Sequence, residues 1–186
     1  MSSSTAVQRP GSAAPQRCVR VDLAGLDGLV ADNMGLFVCS DVRPLKGVAG
    51  LIDWRLCGAL SAAVLNQHFS GDVGENLLMP VLGRFGPRRL FVFGLGPRQG
   101  CTVRTLIHAC GQAVQVMQQA GAAQVVLAAP ADAVAQTPGD AIFMDNVQEA
   151  DPLPAAGLEA GFAQAVTMLW EQPGSPTIAQ ILRERL

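Results

Sequence analysis

Charge is scarce in this chain. Of 186 residues only 15% are Asp, Glu, Lys or Arg, and the formal net charge is −2. There is no run of Lys and Arg, so the electrostatic footprint of a nucleic-acid binder or of an anionic-membrane binder is missing. No apolar run reaches the ~18 residues that a membrane-spanning helix needs. Histidine is limited to His68 and His108, forty residues apart, which excludes a His-rich zinc site. The five cysteines, Cys18, Cys39, Cys57, Cys101 and Cys110, are odd in number and none forms a C-x-x-C pair. A disulfide framework is therefore not expected, and a reducing, cytoplasmic setting is. Cys18, Cys39, Cys57 and Cys110 sit in apolar patterns, where Cys serves as a small hydrophobe. The motifs G-x-S-x-G, H-E-x-x-H, Walker A and the protein-kinase set are all absent.

Residues 1–17 are rich in Ser, Ala, Pro and Gln and hold no signal-peptide core. They read as a disordered tail, and 18–186 as one domain. Hydrophobic residues make up 49% of the chain, enough for a full core at this length. Cys18 to Leu23 alternates like a strand. Met34 to Cys39 is a continuous apolar run of the kind found in a central parallel strand. Val48 to Gln67 reads as a helix, with Asp53 as an anchor in its first turn rather than a catalytic acid. Asn76 to Leu82 reads as a strand whose Pro80 places it near an edge or an end. A turn at Gly83 to Pro87 leads to a core strand, Leu90 to Phe93. Cys101 to Gln119 is the clearest helix, with Leu106, Cys110, Val114 and Met117 on one stripe and Cys101, His108, Gln112, Gln115 and Gln119 opposite. Gln124 to Ala128 is a further strand, Ala141 to Met144 a short one, Pro154 to Trp170 a helix and Ile178 to Leu186 a terminal helix. The alternation implies an α/β fold with a parallel or mixed sheet between helices.

The segment Gly94-Leu95-Gly96-Pro97-Arg98-Gln99-Gly100 lies between a strand and a helix, where a dinucleotide or phosphate loop would lie. Its pattern is G-x-G-x-x-x-G, one residue off that fingerprint. Pro97 removes an N–H, and no acid follows about 20 residues on. A tight turn packing strand on helix is the stronger reading. Gly94, Gly96, Gly100 and Cys101 remain the candidate ligand-binding residues. Cys101 sits at a helix start near Arg98 and Arg104, a setting that favours a thiolate. His108 is about two turns away, roughly 10 Å, too far for a Cys–His pair. An inert exposed thiol is the default. The acidic group Asp140, Asp145, Glu149 and Asp151 lacks calcium-loop spacing and reads as a solvated loop. No metal and no cofactor are expected.

Three segments in order carry a resemblance: Gly50-Leu51-Ile52-Asp53-Trp54-Arg55-Leu56-Cys57-Gly58-Ala59-Leu60, Phe69-Ser70-Gly71-Asp72-Val73-Gly74-Glu75, and Val92-Phe93-Gly94-Leu95-Gly96-Pro97. Together, over about Cys18 to Trp170, the chain resembles the N-terminal domain of the leucyl (cytosol) aminopeptidase family. The resemblance implies a macro-domain-like three-layer α/β/α sandwich with a mixed, mostly parallel sheet. In that family the peptidase chemistry sits in a C-terminal domain with two metal ions and an Asn-Thr-Asp-Ala-Glu-Gly-Arg-Leu motif. That motif does not occur in these 186 residues, so no catalytic or metal-site residue carries over. The family's N-terminal domain helps hexamer assembly and covers the catalytic domain. Macro domains proper bind ADP-ribose through Gly-rich phosphate loops, and only Gly94 to Gly100 could stand in for one here.

The expectation is a stand-alone, non-catalytic domain acting in assembly or regulation. It would form a homo-oligomer or join a separate aminopeptidase catalytic chain, with neither nucleic acid nor membrane as partner. The first alternative is a nucleotide or ADP-ribose-like ligand over the glycine segment. The second is a weak, thiol-based hydrolase using Cys101.

Overall fold

The computed structural model describes residues 19–20, 23–123, 125–128 and 166–170. Among them, six strands form one sheet in the order β1-β6-β5-β2-β4-β3. These are β1 (Val19–Arg20), β2 (Asn33–Cys39), β3 (Asn76–Pro80), β4 (Arg89–Gly96), β5 (Val125–Ala128) and β6 (Val166–Trp170). All neighbours are parallel except β3, which runs antiparallel to β4 at the sheet edge. Four helices accompany them: α1 (Leu23–Asp27), α2 (Gly47–Arg55), α3 (Ala59–Leu65) and α4 (Val103–Gln119). No single helix among the described residues is long and apolar enough to cross a membrane.

β2 is the centre of the sheet, with β4 on one side and β5 on the other. All seven of its residues are buried, as its unbroken apolar run requires when both faces are covered. Met34, Leu36 and Val38 share one face with Leu90, Val92 and Val126. That face is covered by Leu26 of α1, Ile52 of α2 and Leu60 of α3. On the other face Phe37 meets Phe93 with ring centroids 5.7 Å apart. There α4 packs through Leu106, Cys110, Ala113, Val114 and Met117, all buried. Gly35 makes this close packing possible. A Cβ at that position would lie 2.5 Å from Leu127 Cδ2 and 3.2 Å from Met117 Sδ. Helices on both faces give the three-layer α/β/α arrangement.

Arg89 ties the near end of the sheet to α4. Its Nε donates to the buried Asn33 side chain at 2.7 Å, and its Nη1 to the Ala120 carbonyl at 3.1 Å.

Several expectations need correction. The helix expected over Val48 to Gln67 is two helices, α2 and α3, bent by 105°. The break falls at Cys57 (φ 56°) and Gly58 (φ 80°), both left-handed, which a continuous helix does not allow. Cys57 is therefore exposed rather than part of an apolar stripe. Asp53 is not in a first turn. It sits late in α2, and its carboxylate starts the next helix. Oδ1 accepts from the N–H groups of Leu60 and Ser61, each at 3.0 Å, and Oδ2 from the Ser61 hydroxyl at 2.5 Å. The anchoring role holds, but for α3. The helix expected through Trp170 does not extend over Val166–Trp170, which is strand β6, paired in parallel with β5 and β1. Leu169 and Val166 suit a helical stripe by spacing, but Val-Thr-Met-Leu-Trp is also a short buried-strand sequence, and a strand neighbour on each side decides it. α4 begins at Val103 with Thr102 as its N-cap, so Cys101 precedes the helix. β4 runs on to Gly96, so Gly94 and Gly96 belong to a strand end rather than a turn. The expected tail 1–17, strand 141–144, acidic loop 140–151 and helix 178–186 lie outside the described residues.

Asp53→Ala removes three hydrogen bonds to the start of α3. It should lower unfolding stability by about 1–2 kcal/mol. Urea denaturation reads this; a midpoint equal to that of the parent chain would refute the capping role.

Candidate functional site

After β2 the chain leaves through α2 and α3, enters edge strand β3 and turns into β4 on one side; after β4 it crosses through α4 to β5 on the other side of β2. The carboxyl ends of β2 and β4 therefore flank a topological switch point, the place where open α/β sheets hold ligands. Three segments meet there: residues 40–43 after β2, residues 70–75 before β3, and residues 96–101 after β4. Three of the four candidate ligand-binding residues, Gly96, Gly100 and Cys101, lie on the last of these, and Gly94 lies just before it on β4.

Five N–H groups in and just after this glycine segment, those of Gly94, Gly96, Arg98, Gly100 and Cys101, are engaged within the protein. Gly94 donates to the Glu75 carbonyl at 2.9 Å and Gly96 to the Gly71 carbonyl at 2.8 Å. Arg98 N–H donates to Asp41 Oδ1 at 2.8 Å. Gly100 and Cys101 donate to the Pro97 and Arg98 carbonyls at 2.9 and 3.0 Å, closing the 3₁₀ turn Arg98–Gly100. In return Gly96 accepts from Ser40 N–H at 2.9 Å. The need for glycine is steric as well. A Cβ on Gly94 would fall 2.0 Å from the Asp72 carbonyl oxygen, and one on Gly96 (φ +74°) would fall 2.7 Å from Val73 Cγ2. The 70–75 loop is laid directly on the end of β4. Gly100 differs, since a Cβ there would meet nothing within 4 Å.

Glu75 holds that loop in place. Its Oε2 accepts from the N–H groups of Ser70, Gly71 and Asp72 at 2.8, 2.9 and 3.3 Å, and from the Ser70 hydroxyl at 2.6 Å. The Ser70 hydroxyl, followed by these backbone donors, holds the Glu75 carboxyl below the usual carboxylate range. Arg43 closes the other side, donating to the Cys39 carbonyl at 2.8 Å and the Ser70 carbonyl at 2.9 Å. Sequence reasoning singled out none of Glu75, Arg43 and Asp41 for a role here. The only signal was the turn cluster 69–74 followed directly by an acid.

Cys101 is not an exposed thiol. Its residue is 7% exposed, and its sulfur lies 3.7 Å from that of Cys39 at the end of β2. Elsewhere, His108 and Gln112 are exposed on α4 as expected, while Gln115 is half-buried. Gln112 and Gln115 border a hollow of about 270 Å³ shared with Asn76 and Phe93. A larger hollow of about 780 Å³, bordered by Asp53, Trp54, Arg55 and Arg84, lies beside the α2–α3 bend. Trp54 is 64% exposed there, and Leu82, next to rim residue Gly83, is 83% exposed. Among the described residues no three His, Cys, Asp or Glu side chains gather as a metal set.

Because the folded-state pKa of Glu75 is depressed, its contribution to stability is present above the unfolded carboxyl value near 4.5 and is lost as pH falls through the folded value. Glu75→Gln should therefore be less stable than the parent at pH 7, by about 1 kcal/mol or less because solvent screens this exposed carboxylate, with the gap closing as pH falls below the unfolded carboxyl value. Urea melts at pH 7 and below that value check this; a gap that does not change with pH would remove the carboxylate from the argument.

The N-terminal domain of the cytosol aminopeptidase family matches residues 35–144, more than half of the chain. No curated protein matches the sequence. Among solved structures, a tomato leucine aminopeptidase mutant superposes with a TM-score of 0.52 at 16% identity, covering 94% of this chain and 36% of its own. The chain thus spans about a third of the length of that enzyme. The Trypanosoma brucei macrodomain in complex with ADP-ribose gives a TM-score of 0.53 at 15% identity, with 90% of this chain and 67% of that one covered. The macrodomain of Thermus aquaticus DarG gives 0.51 at 16% identity, with 84% and 97% covered. At these identities the structural likenesses establish the fold, a macrodomain-like α/β architecture, and the sequence match establishes the lineage. The chain belongs to the cytosol aminopeptidase family, as its N-terminal domain.

Proposed function

We propose that this domain works by contact rather than by chemistry, as an assembly or regulatory module. It associates with copies of itself or with a separately encoded aminopeptidase catalytic chain. The observation that carries this reading is the state of the glycine segment. Gly94, Gly96, Arg98, Gly100 and Cys101 all have their N–H groups engaged internally, and the Asp41 carboxylate occupies the Arg98 donor. An incoming phosphate would have to displace these partners and would meet a negative charge. Large apolar side chains standing in solvent supply contact surface: Trp54, Leu65 and Leu82 are 64%, 81% and 83% exposed.

Light scattering on the purified chain, and on the chain mixed with a catalytic aminopeptidase domain, tests the proposal. The expected result is a mass above the 19.4 kDa of one chain, reduced by Trp54→Glu or by paired Glu substitutions at Gln112 and Gln115. A monomer at high micromolar concentration that also ignores the catalytic chain would overturn it.

A second reading, an ADP-ribose-like ligand at the glycine segment, is supported by the fold shared with the Trypanosoma brucei macrodomain. Thermal melts with millimolar ADP-ribose separate the two readings. The assembly reading expects no shift. A shift abolished by Gly100→Asp, a change the open space at Gly100 accommodates, would establish the ligand site instead.

A further inference from the structure

Four of the five cysteines lie among the described residues, and they differ sharply in setting. Cys110 is fully buried on the core stripe of α4, and burial pushes its thiol up to about 12. Cys57 is exposed at the α2–α3 break. Cys39 and Cys101, by contrast, face each other. Cys39 is the last residue of β2, and Cys101 joins the 3₁₀ turn to the N-cap of α4. Both are 7% exposed, and their sulfurs are 3.7 Å apart across 62 positions of sequence. From this juxtaposition we infer that Cys39 and Cys101 form an oxidation site, a dithiol that a hydroperoxide converts to an intramolecular disulfide.

The geometry favours closure. A disulfide requires the sulfurs to approach to about 2.05 Å, so the pair closes by less than 2 Å. The short connecting segment that carries Cys101 has room to supply this movement. Gln99 and Gly100 are exposed beside it, and the side of Gly100 where a Cβ would stand is open.

The two thiols have different roles. The hydrogen bond between the sulfurs raises the Cys39 thiol and lowers that of Cys101, with burial and Asp41 opposing and Arg98 favouring the Cys101 thiolate. Either sulfur can donate in that contact, and Cys101, carried on the segment with the exposed Gln99 and Gly100, is the attacking sulfur. Its thiolate attacks one peroxide oxygen, the O–O bond breaks, and hydroxide leaves, giving a sulfenic acid at Cys101. The Cys39 thiol loses its proton and attacks that sulfur, the S–O bond breaks, and water leaves. In sum two thiols and one hydrogen peroxide give one disulfide and two waters, with two electrons passing from sulfur to peroxide. A dithiol reductant reverses the change.

The test uses the whole chain and hydrogen peroxide. The reduced protein carries five thiols. After brief peroxide treatment and denaturation, the titratable count should fall from five to three, and peptide mapping should recover Cys39 linked to Cys101. The thermal midpoint should rise, because the link closes a long loop in the unfolded chain. Dithiothreitol should restore five thiols. In Cys39→Ser the sulfenic acid should persist and be trapped at Cys101 by dimedone, whereas Cys101→Ser should give no adduct at Cys39. Mapping of the parent chain decides the matter even if either variant folds poorly. A linkage through Cys57 or Cys18, dimers joined by disulfides, or a count that stays at five would each overturn the inference.

Discussion

The closure of the 70–75 loop onto the end of β4 is the constraint on which the rest of the switch-point region depends. Glu75 gathers the N–H groups of residues 70–72, and the loop's carbonyls then engage Gly94 and Gly96. Only glycine admits the approach, because the Asp72 carbonyl occupies the place of a Gly94 Cβ. Arg43 fastens the same loop to the end of β2. Strand ends that would otherwise present free donors are joined into one hydrogen-bonded unit.

A parallel argument applies inside the sheet. β2 has neighbours on both edges and helices on both faces, and Gly35 allows Leu127 and Met117 to close over it. The fold is shared with macrodomains and with about a third of a leucine aminopeptidase chain, at identities of 15–16%. A fold retained at such distance is specified by pattern and packing, and it can host unrelated activities. Activity resides in the site, and in this chain the donors there are engaged with the 70–75 loop, Asp41 and the turn itself.

Much of the fold was legible in the sequence. The apolar run of β2 and the 3.6-residue stripe of α4 are strong periodic signals, and both elements lie where the pattern puts them. Pro80 marked the end of edge strand β3 correctly. The failures have physical causes. Cys57 and Gly58 adopt left-handed backbone in the middle of a helical pattern, and Gly58 alone was a weak hint of a break. β6 was obscured because Val166 and Leu169 also satisfy a helical stripe, and only pairing with β5 and β1 selects the strand. At the site, the glycines were visible but not their reason, since the loop that demands them arrives from another part of the chain. The Cys39–Cys101 contact was illegible for the same cause. It arises from the side-by-side register of β2 and β4, which brings Cys39 level with Gly96.

The internal satisfaction of the glycine segment also bears on how such a domain changes over evolutionary time. Five neighbouring donors are tied to partners on three separate segments, among them residue 41, the 70–75 loop and the turn itself. Freeing one by a point substitution leaves the others bound and exposes an unmatched group, so intermediates on the way to an anion cradle are penalised. Selection acting here one residue at a time will preserve the shape of this rim more readily than convert its chemistry, and divergence is channelled to the outer faces of the helices.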